Sequence, residues 1–129
     1  MAVTKAHARF VKISPLKVRL VLDLIRGRDI ISAEGLLLNM NKRGAQIIAK
    51  LLKSAAANAL NNNSLERDLL YISSAYANQG PALNRFRAAT MGRVSPIKRR
   101  TSHVTIELDY KSKRSAVTKA KTVKEGGKR

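Results

Sequence analysis

The chain has 129 residues and a formal net charge of +18, from 26 Lys and Arg against 8 Asp and Glu. This length predicts one domain, and a charge this high predicts a polyanionic partner, with nucleic acid first and an anionic membrane second. The absence of Cys excludes disulfide scaffolds, thiolate metal sites and cysteine nucleophiles, and because aromatic residues are only 4% the core must be aliphatic.

The N-terminal segment, residues 2–13, predicts a half-buried strand because small or apolar side chains alternate with basic ones. The expected inner row is Ala6, Ala8 and Phe10, and the expected outer row is Lys5, His7 and Arg9.

A first helix is predicted from Ser14 and Pro15, a typical helix start, to Arg26, with Gly27 ending it. Its buried face is expected to contain Leu16, Leu20, Val21, Leu24 and Ile25. The opposite side is a narrow polar stripe of Arg19, Asp23 and Arg26. Asp23 can pair with either arginine, so a purely structural interpretation of the stripe stays open.

Two further helices are predicted, a short one from Ser32 to Met40 that Gly35 weakens, and a long one from about Lys42 to Leu60. Aliphatic residues recur along the long helix at a spacing of three to four. They are Ile48, Leu51, Leu52, Ala55 and Ala59.

Two strands follow, at Leu69 to Asn78 and Ser102 to Tyr110. In the second strand Val104, Ile106, Leu108 and Tyr110 are expected to face inward. His103, Thr105, Glu107 and Asp109 are expected to face outward, with Glu107 and Asp109 at a solvent-facing strand edge.

Residues 78–103 lie between these strands and predict a long protruding β-hairpin with its tip near residues 87–92, because an unsupported loop of this length is unusual in a domain. Arms of about ten residues would extend roughly 30 Å. No carboxylate occurs between Asp68 and Glu107, and the basic residues here are Arg85, Arg87, Arg93, Lys98, Arg99 and Arg100. Basic groups beside apolar ones, without acids, are typical of a surface that contacts phosphates and bases.

The folded domain is therefore predicted to span residues 1–110, and residues 111–129, with a net charge of +7, to form a disordered basic tail. The tail is equally open to phosphate binding and to no specific task. No apolar stretch approaches the roughly 20 residues of a membrane span, and the N-terminus lacks a secretory apolar region, so we expect a cytoplasmic protein.

No catalytic or metal-binding pattern is found. His7 and His103 are the two histidines, and neither has a partner at metal-ligand spacing. Adjacent residues of a strand point to opposite faces, so Ser102 and His103 do not form a nucleophile–base pair. We expect neither an enzyme nor a cofactor or small-molecule substrate.

Several sequence runs resemble the large-subunit ribosomal protein 22 family of bacterial type. They are Lys17-Val18-Arg19-Leu20-Val21, Asp23-Leu24-Ile25-Arg26-Gly27, Ser54-Ala55 with Asn58-Ala59, Gly80-Pro81, Arg85, Gly92-Arg93 and Arg99-Arg100-Thr101-Ser102-His103-Val104-Thr105. The resemblance covers about residues 6–108 in unbroken order.

The resemblance implies an α+β fold, with three helices packed on a small, about three-stranded antiparallel sheet plus the hairpin. It also implies a structural protein that binds large-subunit rRNA, supports subunit assembly beside neighbouring ribosomal proteins, and lines the nascent-peptide exit tunnel near where macrolides bind. The implied tunnel residues are Leu83, Asn84, Arg85, Phe86, Arg87, Met91 and Gly92. The expected rRNA-binding residues are Lys5, His7, Arg9, Lys17, Arg19, Arg93, Lys98, Arg99, Arg100, Ser102 and His103.

Two alternatives share the size and charge. An architectural protein of double-stranded DNA fits the composition, although no helix-turn-helix or minor-groove wedge is evident. A membrane-active cationic protein ranks last, because the centre of the long helix carries only Lys50 and Lys53 and so lacks a basic face.

Overall fold

The computed structural model describes residues 3–111, which form an α+β fold with three helices and five strands. The predicted class is confirmed. In chain order the elements are β1 (Thr4–Val11), α1 (Pro15–Ile25), α2 (Ile30–Asn39), α3 (Arg43–Asn63), β2 (Leu70–Gln79), β3 (Leu83–Ala88), β4 (Val94–Arg99) and β5 (Ser102–Tyr110). Of the predicted tail only Lys111 is described, and the remainder, residues 112–129, lies outside the described residues.

The main sheet is antiparallel with strand order β1-β5-β2, so β5 is its central strand. Glu107 and Asp109 therefore lie in the middle of the sheet, and their predicted place at a sheet edge is wrong. The inward positions Val104, Ile106 and Leu108 are almost fully buried, as predicted. Tyr110, also predicted to face inward, is exposed because it ends the strand.

One face of the sheet is covered by helices, with α3 on β1 and β5 and α1 on β2. The predicted buried row of α3 is confirmed, since Ile48, Leu51, Leu52, Ala55 and Ala59 all lie in the core. The helix runs three residues beyond Leu60 to Asn63 and is capped by Ser64, which donates its N–H to the Leu60 carbonyl at 3.0 Å and turns the chain out of the helix with a positive φ of 51°. Each large aliphatic side chain buried here contributes about 1.5–3 kcal/mol.

The helix α2 begins at Ile30, two residues before the predicted Ser32. Ile30 is fully buried, and the preceding Asp29 is tied to the sheet by a backbone bridge to Tyr71 and an ion pair with Lys111. Lys111 also donates its backbone N–H to Leu69, so this residue belongs to the folded body and not to the tail.

The buried face of α1 differs from the prediction. Leu16, Leu20 and Leu24 are 72%, 70% and 51% exposed, whereas Val18 and Leu22 join Val21 and Ile25 in the core. This helix is apolar on nearly all sides, so periodicity alone does not determine its rotation. The polar stripe determines it instead, because Arg19 and Arg26 must reach the backbone of β2.

Candidate nucleic-acid interface

The strands β3 and β4 form the predicted hairpin, paired from Leu83 opposite Arg99 to Ala88 opposite Val94. Residues 81–100 are exposed except for the half-buried Ile97. The two strands pack chiefly on each other, so the ribbon projects from the body instead of completing its core.

A tight neck, formed by Gly80, Pro81 and Thr101, joins the hairpin to the sheet. The Gly80 N–H donates to the Thr101 carbonyl at 2.9 Å, and the Thr101 hydroxyl donates to the Pro81 carbonyl at 2.6 Å. A Cβ at Gly80 would lie 2.5 Å from Thr101 Oγ1 and 3.2 Å from the Thr101 carbonyl carbon. Only glycine permits this approach, so the neck fixes how the hairpin leaves the body.

The tip of the hairpin turns through two consecutive left-handed residues, Met91 (φ 59°) and Gly92 (φ 70°). Positive φ at both central positions is typical of the tight turns that match the twist of a hairpin. Ala89 closes the loop by donating its N–H to Arg93 at 2.9 Å. The Met91 side chain, 95% exposed, is thereby presented at the end of the ribbon.

The hairpin is positively charged without compensation. It carries Arg85, Arg87, Arg93, Lys98 and Arg99 and no carboxylate, and all four salt bridges of residues 3–111 lie elsewhere. Exposed apolar side chains lie between these cations, namely Leu83, Phe86, Met91 and Val94. The charges are thus available to phosphates, and the apolar groups to bases or to other uncharged surfaces.

The face of the sheet opposite the helices carries the outer row predicted for β1. Lys5 lies opposite Glu107 and forms an ion pair with it at 2.8 Å. The hydrogen bond and charge of Glu107 raise the pKa of Lys5 above 10.5. His7 lies opposite Thr105, and its Nδ1 is 3.0 Å from the Thr105 hydroxyl.

A β-bulge interrupts β1 between Ala8 and Val11, so that Arg9 and Phe10 together lie opposite His103. Phe10 has a φ of 56° and is 62% exposed, which contradicts its predicted place on the inner face with Ala6 and Ala8. The extra residue of the bulge shifts the alternation, and Val11 is buried in its place.

These residues line a groove of about 370 Å³ on the open sheet face, here called the sheet-face groove. Its side chains come from β1, β2 and β5. They are His7, Arg9, Phe10, Tyr76, Asn78, His103, Val104 and Thr105. Three of the predicted site residues, His7, Arg9 and His103, therefore lie together. Sequence reasoning missed Tyr76 and Asn78, although their alternation with Ala75 and Ala77 indicates that they face outward.

Two predicted binding residues have other surroundings. Ser102 is fully buried, and its hydroxyl contacts no polar partner among the described residues. Ser102 therefore does not belong to the rRNA-binding surface, and its prediction as a binding residue is wrong. The Arg19 guanidinium donates twice to the Ala77 carbonyl, at 3.0 and 3.2 Å, which supports a structural role for it. Lys17 is exposed, and Arg19 and Arg100 both line a smaller groove of about 300 Å³ at the hairpin base.

Within residues 3–111, no cluster of three or more potential metal ligands occurs. In the same range no helix is long and apolar enough to cross a membrane.

Fold and surface together define a small, basic α+β protein with a projecting, acid-free hairpin. The family model described as ribosomal protein L22p/L17e matches residues 6–109. The large ribosomal subunit protein uL22 of Thermus thermophilus is 53% identical over 107 residues, which cover 83% of this chain and 95% of the relative. Proteins of the same name from Acetivibrio thermocellus and Macrococcus caseolyticus are 50% and 47% identical, covering 84% and 90% of this chain and 86% and 94% of the relatives.

The chain belongs to the L22p/L17e family of ribosomal proteins. It is accordingly a structural protein of the large ribosomal subunit, of bacterial type, and not an enzyme.

Proposed function

We propose that this chain binds large-subunit rRNA through its hairpin and open sheet face, supports assembly of the subunit beside neighbouring ribosomal proteins, and lines the nascent-peptide exit tunnel with the hairpin. The observation that carries the proposal is the projecting hairpin itself, whose five cations have no carboxylate partner in residues 3–111. An unpaired cationic ribbon gains most of its interaction free energy when phosphates surround it.

The arginines are expected to act through charge. Each phosphate contact by Lys or Arg releases counterions, so binding weakens steeply as salt rises. Side chains do not read the deep major groove of A-form RNA, and specificity then comes from the shape of folded RNA. The proposed rRNA-contacting residues of the hairpin and its base are Arg93, Lys98, Arg99 and Arg100, with Lys17 on the body and Lys5, His7, Arg9 and His103 on the sheet face.

The tunnel-lining role rests on shape and on the tip. The two strands of the ribbon have six residues each, shorter than the predicted ten, and span roughly 20 Å, long enough to reach between RNA segments. The proposed tunnel residues lie along β3 and at the tip, and all are exposed: Leu83, Asn84, Arg85, Phe86, Arg87, Met91 and Gly92. Exposed, mixed basic and apolar side chains suit a wall that a nascent peptide passes.

The RNA-binding part is tested by equilibrium binding to transcribed large-subunit rRNA over a range of salt concentrations. Replacing Arg93, Lys98 and Arg99 with Gln should lower the slope of log affinity against log salt by about 2–3. The matched control replaces Arg43, Lys50 and Lys53 on α3, which removes the same charge from an exposed helix face. We expect a smaller change of slope in the control.

Equal slopes for the two triple variants would mean that only total charge matters, and the role of the hairpin would be rejected. Competition by duplex DNA as effective as competition by rRNA at about 0.2 M salt would reject rRNA as the preferred partner.

A further inference from the structure

The sheet-face groove contains Phe10, whose backbone conformation and exposure are both unfavourable for an aromatic residue. Phe10 adopts a left-handed φ of 56° and leaves 62% of its surface in water. A bulky residue rarely adopts positive φ, and exposure of the ring forfeits its hydrophobic burial. Residues that are unfavourable in this way cluster at binding sites, where the geometry serves a ligand.

The ring is held in one orientation. Its centroid lies 4.9 Å from that of His103 at an interplanar angle of 89°, an edge-to-face pair. The backbone N–H of Phe10 also donates to His103 Nδ1 at 3.1 Å. The bulge, the hydrogen bond and the ring pair therefore present an aromatic surface that is already ordered before any ligand arrives.

Polar groups surround this aromatic surface. Because His103 Nδ1 accepts a hydrogen bond, the neutral ring carries its proton on Nε2 and is a donor there. Asn78 lies directly opposite His103 in the sheet, and its amide offers both a donor and an acceptor. Arg9 supplies a cation at the bulge, and no carboxylate lines the groove.

We propose that the sheet-face groove binds one unpaired nucleobase of RNA, stacked on Phe10, with its polar edge towards His103 and Asn78 and its phosphate near Arg9. The inference rests on the proposed rRNA binding and assigns a ligand class to one part of that surface. RNA recognition commonly uses unstacked bases that lie on aromatic rings and are hydrogen-bonded along their edges. An aromatic or apolar side chain of a protein partner would use Phe10 but would leave the cation and the amide without function.

The test compares the affinity of full-length variants for transcribed large-subunit rRNA. Phe10→Leu removes the aromatic face and should weaken binding at least about fivefold at every salt concentration, with the salt slope unchanged. Phe10→Tyr keeps the ring and should bind like the wild type. Tyr110→Leu removes an exposed aromatic residue at the other end of β5, and we expect no change in its affinity.

A second variant separates binding from folding. Asn tolerates the left-handed region, so Phe10→Asn should melt no lower than the wild type while it binds rRNA as weakly as Phe10→Leu. A Phe10→Asn protein that loses its cooperative melting transition would show that Phe10 is needed for the fold, and the proposal would fail.

The remaining outcomes distinguish this inference from the proposed function. If the wild type does not bind rRNA, the proposed function itself is wrong. If the wild type binds and Phe10→Leu binds within twofold of it, the nucleobase site is rejected while rRNA binding stands. If Phe10→Leu binds rRNA normally but incorporates poorly into large subunits, the groove holds a protein partner and the proposal is overturned.

Discussion

Three non-glycine residues of the described chain have positive φ, and each lies at a different kind of backbone irregularity. Ser64 ends α3, Met91 forms the hairpin tip, and Phe10 occupies the bulge of β1. The left-handed region costs an L-residue about 1–2 kcal/mol. At Ser64 this cost is offset by the hydrogen bonds that cap the helix, whereas Phe10 gains a hydrogen bond and a ring contact only to His103.

Gly80 and Gly35 provide opposite outcomes for one substitution. Gly80→Ala should lower the free energy of unfolding by about 1–3 kcal/mol, because the new methyl group overlaps Thr101 and disturbs its bond to Pro81. Gly35→Ala should raise it by about 0.5–1 kcal/mol, because Gly35 is an exposed position inside α2 with no atom near its Cβ site. Urea denaturation measures both, and equal effects would contradict the tight neck.

The ion pair of Lys5 with Glu107 gives a pH dependence. The pKa of Lys5 in the folded protein lies above 10.5. The ion pair therefore stabilises the fold fully below pH 10.5, and this stabilisation is lost as the pH rises through the raised pKa. Glu107→Gln should lower the Lys5 pKa towards 10.5, as measured by NMR titration of the Lys5 side chain. A Lys5 pKa unaffected by the substitution would show that the pair does not form in solution.

At the scale of elements, helices seal both edges of the main sheet. Along β2, Arg19 of α1 and Arg26, which directly follows this helix, donate to the carbonyls of Ala77 and Ala75, at distances down to 3.0 and 2.7 Å. Along β1, Asn58 of α3 donates to the Lys5 carbonyl at 3.3 Å. Open strand edges invite pairing with other chains. These side chains protect the body while the hairpin is left exposed.

Arg19 and Lys17 are close in sequence, but we expect them to act differently. Arg19→Met should lower the free energy of unfolding by about 1–2 kcal/mol, because the Ala77 carbonyl loses both donors, with little change in the salt slope of rRNA binding. Lys17→Met should leave stability within about 0.5 kcal/mol and lower the salt slope by about one. Denaturation and salt titration of both variants measure this, and the reverse pattern would contradict the assignment.

The buried face of a helix is predictable from the sequence where apolar residues recur in a single row, and it is not where apolar residues surround the helix. The long helix α3 has one apolar row, and its five predicted core residues are buried. In α1 apolar residues surround the helix, so its sequence does not determine which leucines are exposed, and the bonds of Arg19 and Arg26 to β2 do. The bulge at Phe10 was missed because it depends on pairing with β5, which lies over 90 residues away.

The candidate site was predictable where composition alone defines it. The acid-free window identified the hairpin, and the outer row of β1 identified Lys5, His7 and Arg9. Ser102 was assigned to the surface from its place in a matching run, although the pleat of β5 turns it into the core. The groove residues Tyr76 and Asn78 come from β2, and only the sheet register brings them to His103.

At the scale of the whole molecule, the unpaired positive charges of the hairpin lie apart from the packed core of the body. In the part of the chain described, acids are confined to the body, where Asp23, Asp29, Glu34 and Glu107 each pair with a Lys or Arg. The hairpin contributes little to the core and keeps its cations unpaired. A body that folds around aliphatic residues therefore presents a ribbon whose cations have no carboxylate partner among residues 3–111.

The most direct test of the central claim uses the absence of cysteine from this chain. Met91→Cys places a single thiol at the hairpin tip, and Leu20→Cys places one on the exposed side of α1 as the control. Each protein is labelled with a photoreactive maleimide before assembly into large subunits and then irradiated while ribosomes hold a stalled nascent peptide. We predict an adduct with the nascent peptide from position 91 and none from position 20. Equal adducts from both positions, or none from position 91 in subunits that translate, would contradict the tunnel-lining hairpin.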